Sequence, residues 1–313
     1  MTKKILVATD KPFAPEAVNL MKEVIKDKAE YKMELLEKYT EVAQFKAAVK
    51  DADALIIRSD LASKEIIDAA EKLQIIVRAG AGYDNIDLAA ATARKIVAMN
   101  TPGQNSNAVA ELAIGLMIYI YRCKFNGKSG SELKGKKLGL HAFGAVSRAL
   151  AKIALGFNME VYAFSRSVTK EEMAKEGVKI SDTIENLYST CDFVSLHIPA
   201  TELTKKMINF DLMNRMPKNA VLINTARGPI VDEKDLVRAL VDKQIAGAAL
   251  DVFEDEPIPL GSPLLTMDNV MLAPHNSNSS PTAWENVHWN TIRNLLLGLD
   301  IDPVGLDDWK NRA

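Results

Sequence analysis

The stretch "KKLGLHAFGAVSRALAKIALGF" (Lys136–Phe157) reads as a buried strand, a tight turn and a helix. Such a junction opens a dinucleotide-binding sheet when glycines fill three places: one for the turn, one for approach of a pyrophosphate, one for helix–strand packing. Here those places hold Ala142, Gly144 and Ser147. Gly144 keeps the middle role. Ala142 carries a β-carbon where a left-handed backbone would be strained. Ser147 is still small. The helix that opens at Ala145 and Val146 has free first-turn N–H groups and a dipole directed at the turn, which suits an anion. Phe143, Gly144, Ala145 and Val146 are therefore candidate cofactor contacts. Taken alone, the motif leaves two readings: a nucleotide site with two glycines replaced, or an ordinary strand–helix junction.

On both sides of it, short β-rich runs alternate with helical ones. Before it, "KILVA" (Lys4–Ala8), "DALIIRS" (Asp53–Ser59), "QIIVRAG" (Gln74–Gly80) and "IVAMN" (Ile96–Asn100) predict strands. Helices are predicted over Pro15–Lys28, Ser63–Leu73 and Asn85–Lys95. After it, strands are predicted at Leu138–His141, Glu160–Phe164, Phe193–His197, Ala220–Asn224, Gly247–Leu250 and Val270–Ala273. The alternation argues an α/β chain with two doubly wound parallel sheets and right-handed crossovers. A loop, "NTPGQNSNAVAE" (Asn100–Glu111), separates the two runs, with Asn107 as the expected N-cap of the next helix. A last helix, Ser280–Leu299, follows the second sheet and has no strand after it, so it is expected to cross back to the first. The tail from Asp302 is too short to fold alone.

Composition bounds the function. The 313 residues are 48% hydrophobic and 26% charged, with a net charge of −2. This suits two globular domains and gives no whole-chain attraction to nucleic acid or anionic membrane. The two cysteines, Cys123 and Cys191, imply a reducing compartment. "MTKKILVATD" is a first strand, too short for a signal-peptide core, and "AVAELAIGLMIYIY" (Ala108–Tyr121) is a buried helix. A cytoplasmic protein with no nucleic-acid, membrane or metal partner is expected.

In open α/β sheets ligands bind beyond the carboxyl ends of the strands. In the first half those ends offer Arg58 and Ser59, then Arg78, Ala79 and Gly80, then Asn105. Two arginines at neighbouring ends suit a phosphate or a second carboxylate, with surface ion pairs as the competing reading. In the second half, the acid expected about 20 residues beyond the turn is replaced by Ser165 and Arg166. A hydroxyl and a guanidinium would accommodate a 2′-phosphate, so NADP is favoured over NAD. Three further ends bring Arg227 in "VLINTARGPIVDE", Asp251 and Glu256 in "AALDVFEDEP", and His275 in "VMLAPHNSNSS". Each is bland alone; together they would put an Arg, a Glu and a His at consecutive strand ends facing the same cleft as the turn.

These segments, with "RAGAGYDNIDLAAAT" and "MNTPGQNSNAVAEL", resemble the signature blocks of the D-isomer-specific 2-hydroxyacid dehydrogenases from about Asp53 to Leu297. The resemblance implies a flavodoxin-like substrate domain (residues 1–104 and 280–313) and an inserted Rossmann cofactor domain (105–279), assembled as a homodimer. It implies that Arg227 holds the substrate carboxylate and keto oxygen, that His275 is the general acid/base, and that Glu256 orients it. Thr225, Ala226 and Asp251 would line the nicotinamide and ribose pocket. His197, Pro199 and Thr204, in "SLHIPATELT", are further cofactor candidates, a structural role being the other reading of His197. Arg58 and Arg78 match positions that bind a substrate phosphate. The implied reaction is NAD- or NADP-dependent oxidation of 3-phospho-D-glycerate to 3-phosphohydroxypyruvate, which feeds serine synthesis. A glyoxylate/hydroxypyruvate reductase is the near alternative, and a non-catalytic cofactor-sensing protein the distant one. Departures are Ala142, Ser147, His141 in an aliphatic strand place, the lack of a glycine after His275, and a short connection over Cys123–Lys137. No serine feedback through a further regulatory domain is expected.

Overall fold

A computed structural model describes residues 2–299, apart from 27 and 29. The tail from Asp302 therefore lies outside the described residues. The chain folds as two compact units: one holds the residues up to Asn105 and those from Pro281, the other runs from Ser106 to Ser280.

The first unit runs β1 (Lys3–Thr9), α1 (Pro15–Ile25), β2 (Tyr31–Glu37), α2 (Val42–Val49), β3 (Ala54–Ile57), α3 (Lys64–Ala69), β4 (Ile75–Arg78), α4 (Leu88–Ala93) and β5 (Val97–Met99). The strands pair in parallel in the order β2-β1-β3-β4-β5, the flavodoxin-like order. All four residues of β3 are buried. Burial of its larger side chains contributes roughly 2 kcal/mol each, more than strand propensities spanning about 1 kcal/mol. That is why Ala54, a weak strand former, belongs to the strand. Helices cover both faces. On one, Ile5, Val7, Ile56 and Ile75 pack with Met21 of α1; on the other, Leu6, Leu55 and Ile57 pack with Phe45 of α2 and Ile66 of α3.

The second unit begins with α5 (Ser106–Tyr121) and continues β6 (Lys137–His141), α6 (Ala145–Gly156), β7 (Glu160–Phe164), α7 (Lys170–Lys175), β8 (Lys179–Ile180) and α8 (Ile184–Thr190). It continues with β9 (Phe193–Leu196), α9 (Phe210–Met213), β10 (Val221–Asn224), α10 (Glu233–Val241), β11 (Gly247–Leu250) and β12 (Val270–Leu272). The sheet order is β12-β11-β10-β9-β6-β7-β8, parallel throughout. The order reverses between β6 and β9, as in a dinucleotide-binding sheet. Leu138, Leu140, Phe193 and Ile223 face α5 and α6, while Val194, Leu196 and Leu222 face α8 and α10.

The last helix, α11 (Pro281–Gly298), belongs to the first unit. Ile292, Leu295 and Leu296 sit in the core with Ile75 and Val77, and Asn294 Nδ2 donates to Asn100 O at 2.7 Å.

Both doubly wound parallel sheets are present, and their differences from expectation are local. The segment with β2 and α2 carried no assigned element. β2 is a half-exposed edge strand rich in Lys and Glu, so its alternation of Tyr31, Met33 and Leu35 is masked. α3 stops at Ala69 because Ala70 leaves helical geometry at ψ 84°. α4 starts late because Asp87 caps it, accepting from Ala90 N at 2.9 Å. Asn107 is not an N-cap: α5 begins one residue earlier, and the Asn107 amide donates to Glu111 at 2.6 Å.

Candidate active site

The turn after β6 lies at the point where the strand order of its sheet reverses. Ala142 takes a left-handed φ of +84°. Its N–H donates to Phe164 O at 2.9 Å, and its carbonyl accepts from Ser147 Oγ at 2.9 Å. Gly144 is the N-cap of α6 and is exposed. A β-carbon built on it would meet nothing within 4 Å. No neighbour in the protein needs a glycine there, so the open space over the helix N-terminus fits the approach of a pyrophosphate. The Phe143 side chain is in the core, under the Arg148 guanidinium at 5.1 Å. Only its backbone is left to meet a ligand, because the alternation that exposes Gly144 turns the ring inward.

Around this turn the polar groups are unusually buried. His141 Nδ1 lies 3.1 Å from Tyr188 Oη. Burial pushes His141 down to about 4, and the Arg166 charge adds to this. His197 Nε2 and the Thr225 hydroxyl are buried with no hydrogen-bond partner among the described residues. Buried polar groups are nearly always paired, so two orphans at the carboxyl edge fit a polar ligand. Ser165 Oγ accepts from Ser167 N and Val168 N, folding the loop that exposes Arg166. Thr204 does not offer its side chain to a ligand: it is buried, and its hydroxyl is 2.6 Å from Pro199 O and 2.8 Å from Thr201 N. It shapes the loop that exposes Pro199.

The ends of β10, β11 and β12 are neighbours in the sheet. Asn224, the last residue of β10, pinches the following loop: its Nδ2 donates to Arg227 O at 2.9 Å and its Oδ1 accepts from Ala226 N at 3.0 Å. Gly228 allows the next close approach, since a β-carbon there would stand 1.7 Å from Phe253 O. Arg227 Nη1 donates to Ala226 O at 2.8 Å. Glu256 Oε1 accepts from Phe253 N at 3.2 Å, and its Oε2 lies 2.6 Å from His275 Nδ1. Burial pushes the Glu256 carboxyl up, but the His275 hydrogen bond and charge, Phe253 N–H and the Arg227 charge outweigh it and hold it low. The ionised carboxylate is an acceptor only, so His275 presents Nδ1–H to it. That leaves Nε2 of the half-exposed ring for chemistry.

Asp251 departs from expectation. It is 0% exposed, and its two oxygens accept from Asn276 N and Ser277 N, each at 2.9 Å. It clamps the loop after β12. The clamp holds His275 at φ +50°, with its N–H donating to Ala273 O at 3.1 Å. Left-handed non-glycine residues persist only when their surroundings over-determine them.

The other predicted residues lie in the first unit. Arg58 O accepts from Arg78 Nε at 3.0 Å and from Asn85 Nδ2 at 3.2 Å, tying the loops after β3 and β4 together. Gly80 has φ +151°, and the Arg78 guanidinium occupies the space its β-carbon would need. Ala79 is buried and donates its N–H to Ile57 O at 2.8 Å. Ser59 is exposed, with Oγ 3.3 Å from Asp10 Oδ1. Asn105 is half-buried and ends the unit. Sequence reasoning missed Asp60. It is 4% exposed and accepts from Asp10 N at 2.8 Å, Tyr39 Oη at 2.7 Å and Arg58 N at 3.4 Å. These donors lie up to 50 residues away in sequence, so no local signal marks it.

The chain is similar to known proteins in sequence and in fold. Residues 83–277 match the family model "D-isomer specific 2-hydroxyacid dehydrogenase, NAD binding domain". The chain is 39% identical over 297 residues to a D-3-phosphoglycerate dehydrogenase of Methanocaldococcus jannaschii, covering 90% of this chain and 54% of that protein. It therefore spans about half the length of that relative. It is 40% identical over 267 residues to a glyoxylate reductase of Korarchaeum cryptofilum, covering 79% of this chain and 80% of that one. The crystal structure of cofactor(NAD+)-bound 3-phosphoglycerate dehydrogenase from Entamoeba histolytica superimposes with a TM-score of 0.85 at 35% identity, covering 94% of each chain. The chain belongs to the D-isomer-specific 2-hydroxyacid dehydrogenases, a family of oxidoreductases, and carries the family's NAD binding domain. No helix among the described residues is long and apolar enough to cross a membrane.

Proposed function

We propose that the protein interconverts 3-phospho-D-glycerate and 3-phosphohydroxypyruvate, the step that feeds serine synthesis. The observation that carries this is the joining of Arg58 and Arg78 at adjacent strand ends through the Arg58 carbonyl. Two arginines at neighbouring strand ends suit a phosphate dianion. The unit that holds them is the substrate-binding part, and Ser106–Ser280 is the cofactor-binding part. The chain works as a homodimer, which sedimentation equilibrium tests.

Arg227 grips the substrate carboxylate and keto oxygen through charge-assisted hydrogen bonds. His275 Nε2 removes the hydroxyl proton in oxidation and returns it in reduction. Glu256 fixes the tautomer and stabilises the ring when it carries that proton. The Gly144 turn would hold the pyrophosphate of the dinucleotide and the Thr225–Ala226 edge its nicotinamide end, which when bound would supply the hydride chemistry. The remaining residues bind, orient and move the proton.

The test is a steady-state assay crossing NADH and NADPH with 3-phosphohydroxypyruvate, hydroxypyruvate and glyoxylate. The proposal expects the phosphorylated acid to give the highest kcat/KM. No nicotinamide turnover with it in either direction would sink the reading. A second reading is a glyoxylate or hydroxypyruvate reductase using NADPH, favoured by exposed Arg166 beside Ser165 and by the Korarchaeum relative. It expects the unphosphorylated acids to win, and Arg166→Ala to raise KM for NADPH alone.

A further inference from the structure

We propose that Ser147 is a positioning residue for the cofactor turn: its hydroxyl latches Ala142 in a left-handed backbone, so the two replaced glycines act as one coupled pair. This rests on the reading that the turn between β6 and α6 receives the dinucleotide.

A left-handed alanine is unstable unless both its peptide groups are held. At Ala142 they are. The N–H is fixed by Phe164 O at the end of β7, and the carbonyl by Ser147 Oγ, both at 2.9 Å. The second bond is the informative one. A serine inside a helix ordinarily bonds the carbonyl three or four residues back. Ser147 reaches five back, out of α6, to the residue whose φ is +84°. Ser147 is 0% exposed, so bulk water has no ready access to take its place.

The consequence falls on the amides of the turn. The Ala142 carbonyl belongs to the peptide plane that carries the Phe143 N–H. If Ala142 relaxed to negative φ, that plane would rotate and Gly144 with it. The Phe143 ring, packed in the core, holds the far side of the turn. The space over Gly144 is open, so nothing there would resist the rotation. The latch sets the aim of the N–H groups that would meet the pyrophosphate. A glycine at 142 adopts positive φ without help, and Ser147 would then be dispensable.

A double-mutant cycle tests this, with dissociation constants for NADH and NADPH read from quenching of protein fluorescence. S147A alone is expected to weaken binding about tenfold, the scale of one neutral hydrogen bond (~1 kcal/mol) plus the unmet carbonyl it leaves. In the A142G background the same substitution is expected to weaken binding less than twofold. Loss of packing at 147 would not be rescued from 142, so rescue separates the latch from a merely structural role. Equal losses in both backgrounds, or no loss in either, overturn the proposal. So does failure of the double variant to fold, because A142G is expected to make the S147A chain tolerable even where S147A alone is unstable. If the unsubstituted protein binds neither nucleotide, it is the cofactor reading of the turn that fails.

Discussion

At the carboxyl edge of the five-stranded sheet, Asp60 gathers Asp10 N, Tyr39 Oη and Arg58 N. At the same edge of the seven-stranded sheet, Asp251 gathers Asn276 N and Ser277 N. Both carboxylates are buried, and each takes donors from at least one other loop. They differ in what they hold. Asp251 restrains one loop and forces His275 into a strained backbone beside Glu256. Asp60 draws together the starts of three loops, one of them at Arg58. One device serves two ends: it sets a single imidazole in one geometry beside its carboxylate, and it assembles a wider surface from several segments.

The largest effect is expected on removing the group that Asp251 serves. His275→Ala is expected to lower kcat/KM about 10³-fold, the scale of general acid–base catalysis, with nucleotide affinity intact; stopped-flow hydride transfer checks it. Unchanged turnover would end the mechanism. Next come the two aspartates. Asp251→Ala leaves the buried Ser277 N–H and the part-buried Asn276 N–H unpaired, which costs about 2 kcal/mol of stability, and kcat should fall with it. Asp60→Ala should cost a similar amount in urea denaturation, yet raise KM for the phosphorylated acid more than it lowers kcat. If both variants changed kcat and KM alike, the division of labour would be wrong.

A smaller effect tests the arginines. Arg58→Ala is expected to raise KM for 3-phosphohydroxypyruvate about 30-fold, the scale of one charge-assisted contact, and to leave glyoxylate unchanged. Equal losses on both substrates would assign Arg58 to the fold. The smallest effect is on acid stability. Each unit holds a histidine that burial pushes down to about 4: His141, helped by the Arg166 charge, and His288, helped by the Arg58 charge. With folded values below the ordinary 6.5, the unfolded chain binds these protons first. Their stability is full above pH 6.5 and falls as pH drops toward 4. For His141 this amounts to about 1.4 kcal/mol at pH 5.5. Denaturation at pH 7.5 and 5.5 should show a smaller drop in His141→Leu than in the parent.

Much of the site was readable from the residues. Arg227, Glu256 and His275 stand at strand ends, and in a parallel sheet every strand ends on the same edge. Glu256 and His275 are 19 residues apart in sequence and 2.6 Å apart in space for that reason. The side chains of Phe143, Thr204 and Asp251 are buried, packing or clamping the loops they stand in. A motif names positions along the chain, whereas burial decides which atoms of those residues remain available. His288 shows the same limit: beside Trp289 it reads as a surface or packing residue, and only the fold sets its ring edge-on to Phe13 at 5.6 Å.

By itself the sequence determined the alternation of buried strands and amphipathic helices. With it came two parallel sheets and the edge on which chemistry would gather, because side-chain periodicity is a local property. It also showed that two glycines were missing from the turn at Ala142–Ser147. Only the tertiary structure decided how that turn survives, by joining Ser147 Oγ to Ala142 O. It also decided which acids act as clamps, by bringing Asp10 N to Asp60 from 50 residues away and Asn276 N to Asp251 from 25. Hydrogen bonds across such separations follow from packing the sheet and its loops, and no local pattern records them.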